Sequence, residues 1–144
     1  MHTLALQNRD LVVGPGTAGF ATYTGSDRLQ QDLTLALGEE YGNDRFHPRF
    51  GSILFDMVGE PVSDILKQEI MAEVNRVISN YTQIQQSFMQ QDIINAINSR
   101  FATGDVLAGI VSVSSQLDMD AINIVITVKN LDNAEIQVLA GASA

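Results

Sequence analysis

The sequence contains no cysteine, which excludes a disulfide framework, a thiolate zinc site and a cysteine nucleophile. It is also poor in positive charge, with 8 basic residues against 17 acidic ones and a net charge of -9. That balance disfavours long-range attraction to phosphate backbones or anionic lipid, so neither nucleic acid nor a membrane is the expected partner. Apolar runs are short. None approaches the roughly 18 residues of a membrane span, and the segment from Met1 to Phe20 lacks the basic start and apolar run of a signal peptide. A soluble, non-secreted protein is expected. Low-complexity tracts are absent apart from some Gln/Asn enrichment in the middle.

What is present suits one ordinary globular domain: 144 residues, 45% hydrophobic and 17% charged, enough to close a core without a staple. The expectation is a single domain over 1–144, with 1–9 and 140–144 as flexible tails. Asp10-Leu11-Val12-Val13 and Gly19-Phe20-Ala21-Thr22-Tyr23-Thr24 are β-prone runs separated by the turn-forming Gly14-Pro15-Gly16-Thr17-Ala18, an N-terminal hairpin pattern. Ser26-Asp27 reads as an N-cap pair for a helix over 28–37, in which Leu29, Leu33, Ala36 and Leu37 share a face and Gly38 marks the end.

Periodicity then fades over 39–59, a segment with aromatic residues and glycines that is costly to order and is expected to pack its rings on the core. Glu60-Pro61-Val62-Ser63 opens the clearest amphipathic helix, with Pro61 at its entry and Ser63 as its expected cap, and with Ile65, Leu66, Ile70, Val74, Val77, Ile78 and Tyr81 on one stripe. Ser87 with Gln90 resembles a capping box and predicts a third helix over 88–101, carrying Ile93, Ile94, Ile97 and Phe101. The period then changes to two. Leu107, Gly109, Val111 and Val113, then Ile122, Ile124, Ile126 and Val128, predict two antiparallel strands. A short last strand at 134–139 is expected after the Asn130-Leu131-Asp132-Asn133 turn. The fold class is therefore α+β: an antiparallel sheet from the N-terminal hairpin and the C-terminal strands, covered on one face by about three helices.

Chemistry-bearing constellations are weak. His2 and His47 lie far apart in sequence with no metal-ligand spacing, and His47 beside Pro48 reads as a surface residue. Asp118 and Asp120 read as solvated turn residues rather than a calcium loop. Glu39 and Glu40 are adjacent, whereas an acid/base pair for glycoside hydrolysis has to flank a cleft. Ser112, Ser114 and Ser115 have no nucleophile context. Gly14, Gly16 and Gly19 imitate a dinucleotide loop, but Pro15 intervenes and no helix follows. No catalytic, cofactor-binding or metal residue is therefore assigned, and no cofactor is expected.

The run His47-Pro48-Arg49-Phe50-Gly51-Ser52-Ile53-Leu54, followed by Glu60-Pro61 and the long amphipathic helix, resembles the baseplate-wedge and sheath-initiator family of contractile phage tails. That family also includes a baseplate component of type VI secretion systems and a small bacterial anti-adaptor protein. Its pattern is an early helix, a Pro-x-[Phe/Tyr]-Gly-Ser segment, an acidic-Pro-Arg triplet opening a long helix, and a closing β-hairpin, matched in order over roughly 27–128 of this sequence. One departure stands out: the triplet's arginine is Val62 here, and the next arginine, Arg76, comes only further along the same helix. The resemblance implies a non-enzymatic virion protein of the tail baseplate, assembled in the host cytoplasm.

Its implied partners are baseplate wedge subunits and the tail sheath protein, with tube or hub proteins as further candidates, and a sixfold tail axis implies on the order of six copies. Glu60, Pro61 and Val62 are the expected wedge interface, carried over from the triplet's contact with a helical bundle of neighbouring wedge subunits. The run Ile122, Asn123, Ile124, Val125, Ile126, Thr127 and Val128 is the expected sheath interface, an edge strand to which a neighbouring sheath strand is added. A regulatory binding module of the anti-adaptor type is the alternative.

Overall fold

The computed structural model describes residues 2–7, 10–14, 19–118 and 120–143. Two helices and a three-stranded sheet make up most of it, in an α+β arrangement. Four short strands lead: β1 (Thr3–Leu4), β2 (Leu6–Gln7), β3 (Asp10–Leu11) and β4 (Thr22–Tyr23). They form two small antiparallel ladders, β1 with β4 and β2 with β3. Val13 bridges Phe20 in antiparallel fashion beside them, and Gly14 N–H donates to Gly19 C=O at 2.9 Å, as the expected hairpin requires. Its turn residues 15–18 lie outside the described residues. These strands do not join the C-terminal sheet, contrary to the sequence expectation. Part of the expected N-terminal tail is also structured, because Thr3, Leu4, Leu6 and Gln7 are paired and Ala5 between them is fully buried.

Helix α1 (Gly25–Gly38) buries Leu29, Leu33, Ala36 and Leu37, the predicted face, together with Arg28. Its start departs from the sequence reading. The N-cap is Thr24 with no side-chain cap bond, and the Gly25 N–H instead donates to Asp105 Oδ1 at 2.7 Å. A carboxylate far along the chain thus takes the role expected of Ser26-Asp27.

Helix α2 (Asp64–Ile94) is capped as predicted, Ser63 Oγ accepting from Leu66 N–H at 3.1 Å. It runs for 31 residues, about 46 Å at the α-helical rise. The expected third helix does not exist as a separate element: α2 continues through Ser87 and stops at Ile94. Nothing between Tyr81 and Phe88 interrupts it, since Thr82-Gln83-Ile84-Gln85-Gln86-Ser87 holds neither Gly nor Pro, so the capping signal of Ser87 loses to helix propagation. The helix ends where Ala96 takes φ 51, with Ile97 N–H donating to Asp92 C=O at 3.0 Å and Ala96 N–H to Ile93 C=O at 3.1 Å. This is a Schellman closure with alanine in the left-handed position usually held by glycine. Ile93, Ile94 and Ile97, whose helical spacing suggested the third helix, are more than half exposed.

The sheet has the order β5-β6-β7, from β5 (Leu107–Asp118), β6 (Ala121–Asn130) and β7 (Glu135–Ser143). Both pairings are antiparallel. The last strand is thus a full member of the sheet, and residues 140–143 of the expected tail belong to it. On β6, Ile122, Ile124, Ile126 and Val128 are all at most 2% exposed. With Ile136, Val138 and Ala142 of β7 they meet Leu33 and Leu37 of α1 and Ile70, Val74 and Val77 of α2 in one core. One face of the sheet is covered, as predicted, but by two helices.

The hairpin between β6 and β7 turns on Asn130, 1% exposed, whose Oδ1 accepts from Ala134 N–H at 2.9 Å and whose Nδ2 donates to Ser26 Oγ and Gly104 C=O at 3.1 and 3.2 Å. Gln85 acts similarly from α2, donating to Asp105 C=O at 2.7 Å and accepting from Leu107 N–H at 3.0 Å. These two bonds satisfy both ends of the Gln85 amide and account for its burial. The left-handed Ala96 provides a test of the α2 terminus. Ala96→Gly is expected to raise stability by about 0.5–1 kcal/mol, because relief of the Cβ strain exceeds the added chain entropy of the unfolded state; chemical denaturation measures it, and unchanged or lower stability would contradict the assigned closure.

Candidate functional site

The segment that carries the family resemblance is clamped between the two helices. On the α1 side, Ser52 Oγ donates to Leu37 C=O at 2.6 Å, satisfying a carbonyl that the end of the helix leaves unpaired. Ser52 N–H donates to Glu39 C=O at 2.8 Å, and its carbonyl accepts from Tyr41 N–H at 3.0 Å. Gly51 has φ +94, and a Cβ there would lie 2.6 Å from Glu40 C=O. Only glycine fits, a physical reason for the Gly-Ser pair of the motif.

On the α2 side, Glu73 Oε1 accepts from Ile53 N–H at 2.9 Å. Arg76 Nη2 donates to Gly51 C=O at 2.8 Å and to Glu73 at 2.6 Å, and its guanidinium lies 4.7 Å from the Tyr41 ring centre. Asn80 Nδ2 donates to Arg49 C=O at 2.9 Å. Arg76 is therefore occupied within the clamp and does not replace the arginine missing at position 62. The aromatics of this segment divide: Phe50 packs against the core, whereas Tyr41, Phe55 and especially Phe46 remain exposed. Sequence reasoning expected the rings to pack inward; the backbone is instead ordered by polar contacts to Glu73, Arg76 and Asn80.

From this clamp the chain passes through a 3-10 turn at Leu54–Met57 and Gly59 at φ +88 to the start of α2. Glu60, Pro61 and Val62 are all exposed there. Ile65, predicted on the buried stripe, is 69% exposed, and Val62 and Phe55 are exposed in part. Buried Leu54 and Met57 and the capped first turn of α2 hold this surface in place.

The second expected interface is corrected by the sheet order. β6 is the central strand, paired with β5 on one side and β7 on the other along nearly its whole length. Its four apolar residues face the core, and Asn123, Val125 and Thr127 face the other side of the sheet. It has no edge to offer a partner. The reason is β7, whose small residues Ala140, Gly141 and Ala142 gave a weak strand signal in sequence, yet pair with Ile124, Asn123 and Ile122.

The available edges belong to β5 and β7. β5 carries two register shifts, between Leu107 and Gly109 and between Ile110 and Ser112, irregularities that make an edge hard to extend. β7 is regular throughout. Gln137 C=O accepts from Gln30 Nε2 at 2.7 Å, so the odd-numbered residues of β7 direct their backbone groups away from β6. By that alternation the outward groups of Leu139 and Gly141 follow next. They line a cleft of about 780 Å³ whose opposite wall includes Leu6, Tyr23, Gln31 and Leu35.

The residues weighed for chemistry remain dispersed. Glu39 accepts from Asn43 Nδ2 at 2.7 Å, and the Glu40 backbone bridges Ser52. His47 Nδ1 lies 3.0 Å from Asp44 Oδ2 on the surface, where the Phe46 N–H and then the His47 ring hold the Asp44 carboxyl below its ordinary value. Ser114 Oγ reaches Val125 C=O at 3.5 Å. Asp118 and Asp120 are exposed, and Met119 between them lies outside the described residues, as does Gly16. Among the described residues no group of three or more His, Asp or Glu is placed to hold a metal ion, and no helix is long and apolar enough to cross a membrane. Comparisons with protein families, curated proteins and solved structures return no match for this chain.

The clamp has a pH signature. Burial raises the Glu73 carboxyl, but hydrogen bonds from Arg76 and Ile53 N–H outweigh it and leave the group below its ordinary value of 4.5. Because the folded-state value is depressed, the contribution is complete above about pH 4.5 and is lost as pH falls through the folded value. Glu73→Gln is expected to lower stability at pH 7 by about 1–2 kcal/mol and to flatten the loss between neutral and acid pH. Parallel pH profiles for the two proteins in urea unfolding would refute this assignment.

Proposed function

We propose that the chain is a non-enzymatic structural component of a contractile-tail baseplate, which docks on wedge subunits through the start of α2 and offers a sheet edge to a sheath strand. The reading begins from the sequence resemblance at His47-Pro48-Arg49-Phe50-Gly51-Ser52 and Glu60-Pro61. The observation that carries it is the regular edge of β7, with outward backbone groups at Leu139 and Gly141 bordering an open cleft. An added strand would satisfy those groups and cover Leu139, which is 64% exposed. The sheath contact thus moves from β6 to β7. The wedge contact stays at Glu60, Pro61 and Val62, with exposed Ile65 in the first turn of α2 and exposed Phe55 shortly before in sequence.

Val62 in place of the family's arginine shifts that contact from charge-assisted hydrogen bonding toward apolar packing. Wedge subunits and sheath protein are the proposed partners, in a virion tail, with tube or hub proteins further candidates and on the order of six copies around the tail. Assembly in the host cytoplasm is part of the same proposal.

Proline substitutions separate the edge from the centre of the sheet. Leu139→Pro removes an outward N–H and is expected to change stability by no more than about 1 kcal/mol, leave binding to wedge subunits intact and abolish sheath nucleation on reconstituted baseplates. Val125→Pro breaks an interior ladder and is expected to cost about 3 kcal/mol or more. Replacing Glu60 and Pro61 together with alanine should reduce recovery with wedge subunits while leaving thermal unfolding nearly unchanged. Normal sheath assembly on Leu139→Pro baseplates would rule out the β7 edge, and undiminished wedge recovery by the double variant would rule out docking through α2.

A further inference from the structure

A second cavity, of about 230 Å³, lies between α1, α2 and Phe101. Its volume is below that of a drug-sized site and suits a single side chain. Phe50, Tyr81, Phe88 and Phe101 line it, and Asp32 and Arg28 supply its charge. The two charged groups are not equally accessible. The Arg28 side chain is 6% exposed and the Asp32 side chain 19%, and Arg28 Nε and Nη1 are closed to solvent with no hydrogen-bond partner among the described residues. Behind Arg28, 3.7 Å from Nη1, lies Asp105 with a side chain 1% exposed. The guanidinium is thus shared between two carboxylates, and of the charged groups lining the cavity the Asp32 carboxylate is the more accessible.

One oxygen of that carboxylate is engaged. Oδ2 accepts from Tyr81 OH at 3.1 Å and lies 3.3 Å from Arg28 Nη2; among the described residues no hydrogen bond reaches Oδ1. We propose that this cavity receives a lysine side chain presented by a partner protein, its ammonium on Asp32 Oδ1 and its methylene stem against the aromatic rings. An ammonium on an apolar stem matches both parts of the lining, through charge pairing and cation-π attraction. These rings already suit cations: Arg28 lies 5.2 Å from the centre of Phe101. An anionic side chain would meet Asp32 with like charge, and a purely apolar one would bury Oδ1 without a partner. Burial also pushes the Asp32 carboxyl above its ordinary value, against the pull of Arg28 and Tyr81, so an arriving cation relieves a cost already present. The net charge of -9 draws cations toward the surface. This assignment is independent of the baseplate reading.

The test titrates the full-length protein with n-butylammonium and with n-pentanol, a neutral analogue of similar length, following the aromatic NMR resonances of Tyr81, Phe88 and Phe101. Butylammonium is expected to bind about tenfold more tightly than pentanol, and Asp32→Asn to erase that preference while pentanol binding persists. Phe88→Ala should weaken both probes, which keeps the site testable if Asp32→Asn fails to fold. Nα-acetyl-lysine N-methylamide should shift the same resonances and lose that effect when its ammonium is acetylated. Equal affinity for the two first probes in the unmodified protein, absence of shifts at these rings, or a preference that survives in folded Asp32→Asn would overturn the cation site. Binding of butylammonium without binding of the lysine amide would overturn the partner side chain as its occupant.

Discussion

Everything else in the fold follows from the need to cover the apolar face of β6. Ile122, Ile124, Ile126 and Val128 are each nearly or fully buried, a gain of about 1.5–3 kcal/mol per side chain over exposure. Burying a strand that far requires neighbours on both edges and a layer above. β5 and β7 supply the edges, and α1 with α2 supply the layer. Once β6 is central, its backbone is no longer available to another chain, and the unpaired edges of the sheet pass to β5 and β7, of which only β7 is regular.

The helices are in turn held by polar groups that are buried and largely paired. Asp105 takes the first N–H of α1, Gln85 of α2 bridges Asp105 and Leu107, and Asn130 joins the last hairpin to Ser26 and Gly104. Each links elements distant in sequence, so these bonds form only when the core has closed. The clamp around Gly51 and Ser52 works in the same way. It converts a segment with little apolar anchoring into a fixed lead-in to Glu60 and Pro61, which is what a docking surface at that point requires.

Both proposed contact surfaces lie where this framework leaves something unfinished. At the start of α2 it leaves Val62 and Ile65 in solvent, and at β7 it leaves outward backbone groups beside a cleft. The cavity proposed for a lysine has a different origin: aromatic residues from α2 and from the segments before and after it line it with Asp32, whose second oxygen has no partner among the described residues.

By itself the sequence determined the α+β class, the face of α1, the Ser63 cap and most of the α2 stripe, and the period-two pattern of β6, because each rests on local spacing of apolar residues and local capping. Its motif residues Gly51 and Ser52 were visible, although not the partners that make them necessary. Tertiary structure decided the rest. Ser87 looked like a helix start but lies mid-helix, since uninterrupted propagation outweighs one capping signal; Ala96 hides a helix end because alanine gives no sign of a left-handed turn. The position of β6 in the sheet depended on whether Ala140, Gly141 and Ala142 would form a strand. Small side chains carry little periodic signal, and only pairing with Ile122, Asn123 and Ile124 makes them part of β7 and leaves that strand, rather than β6, at the edge.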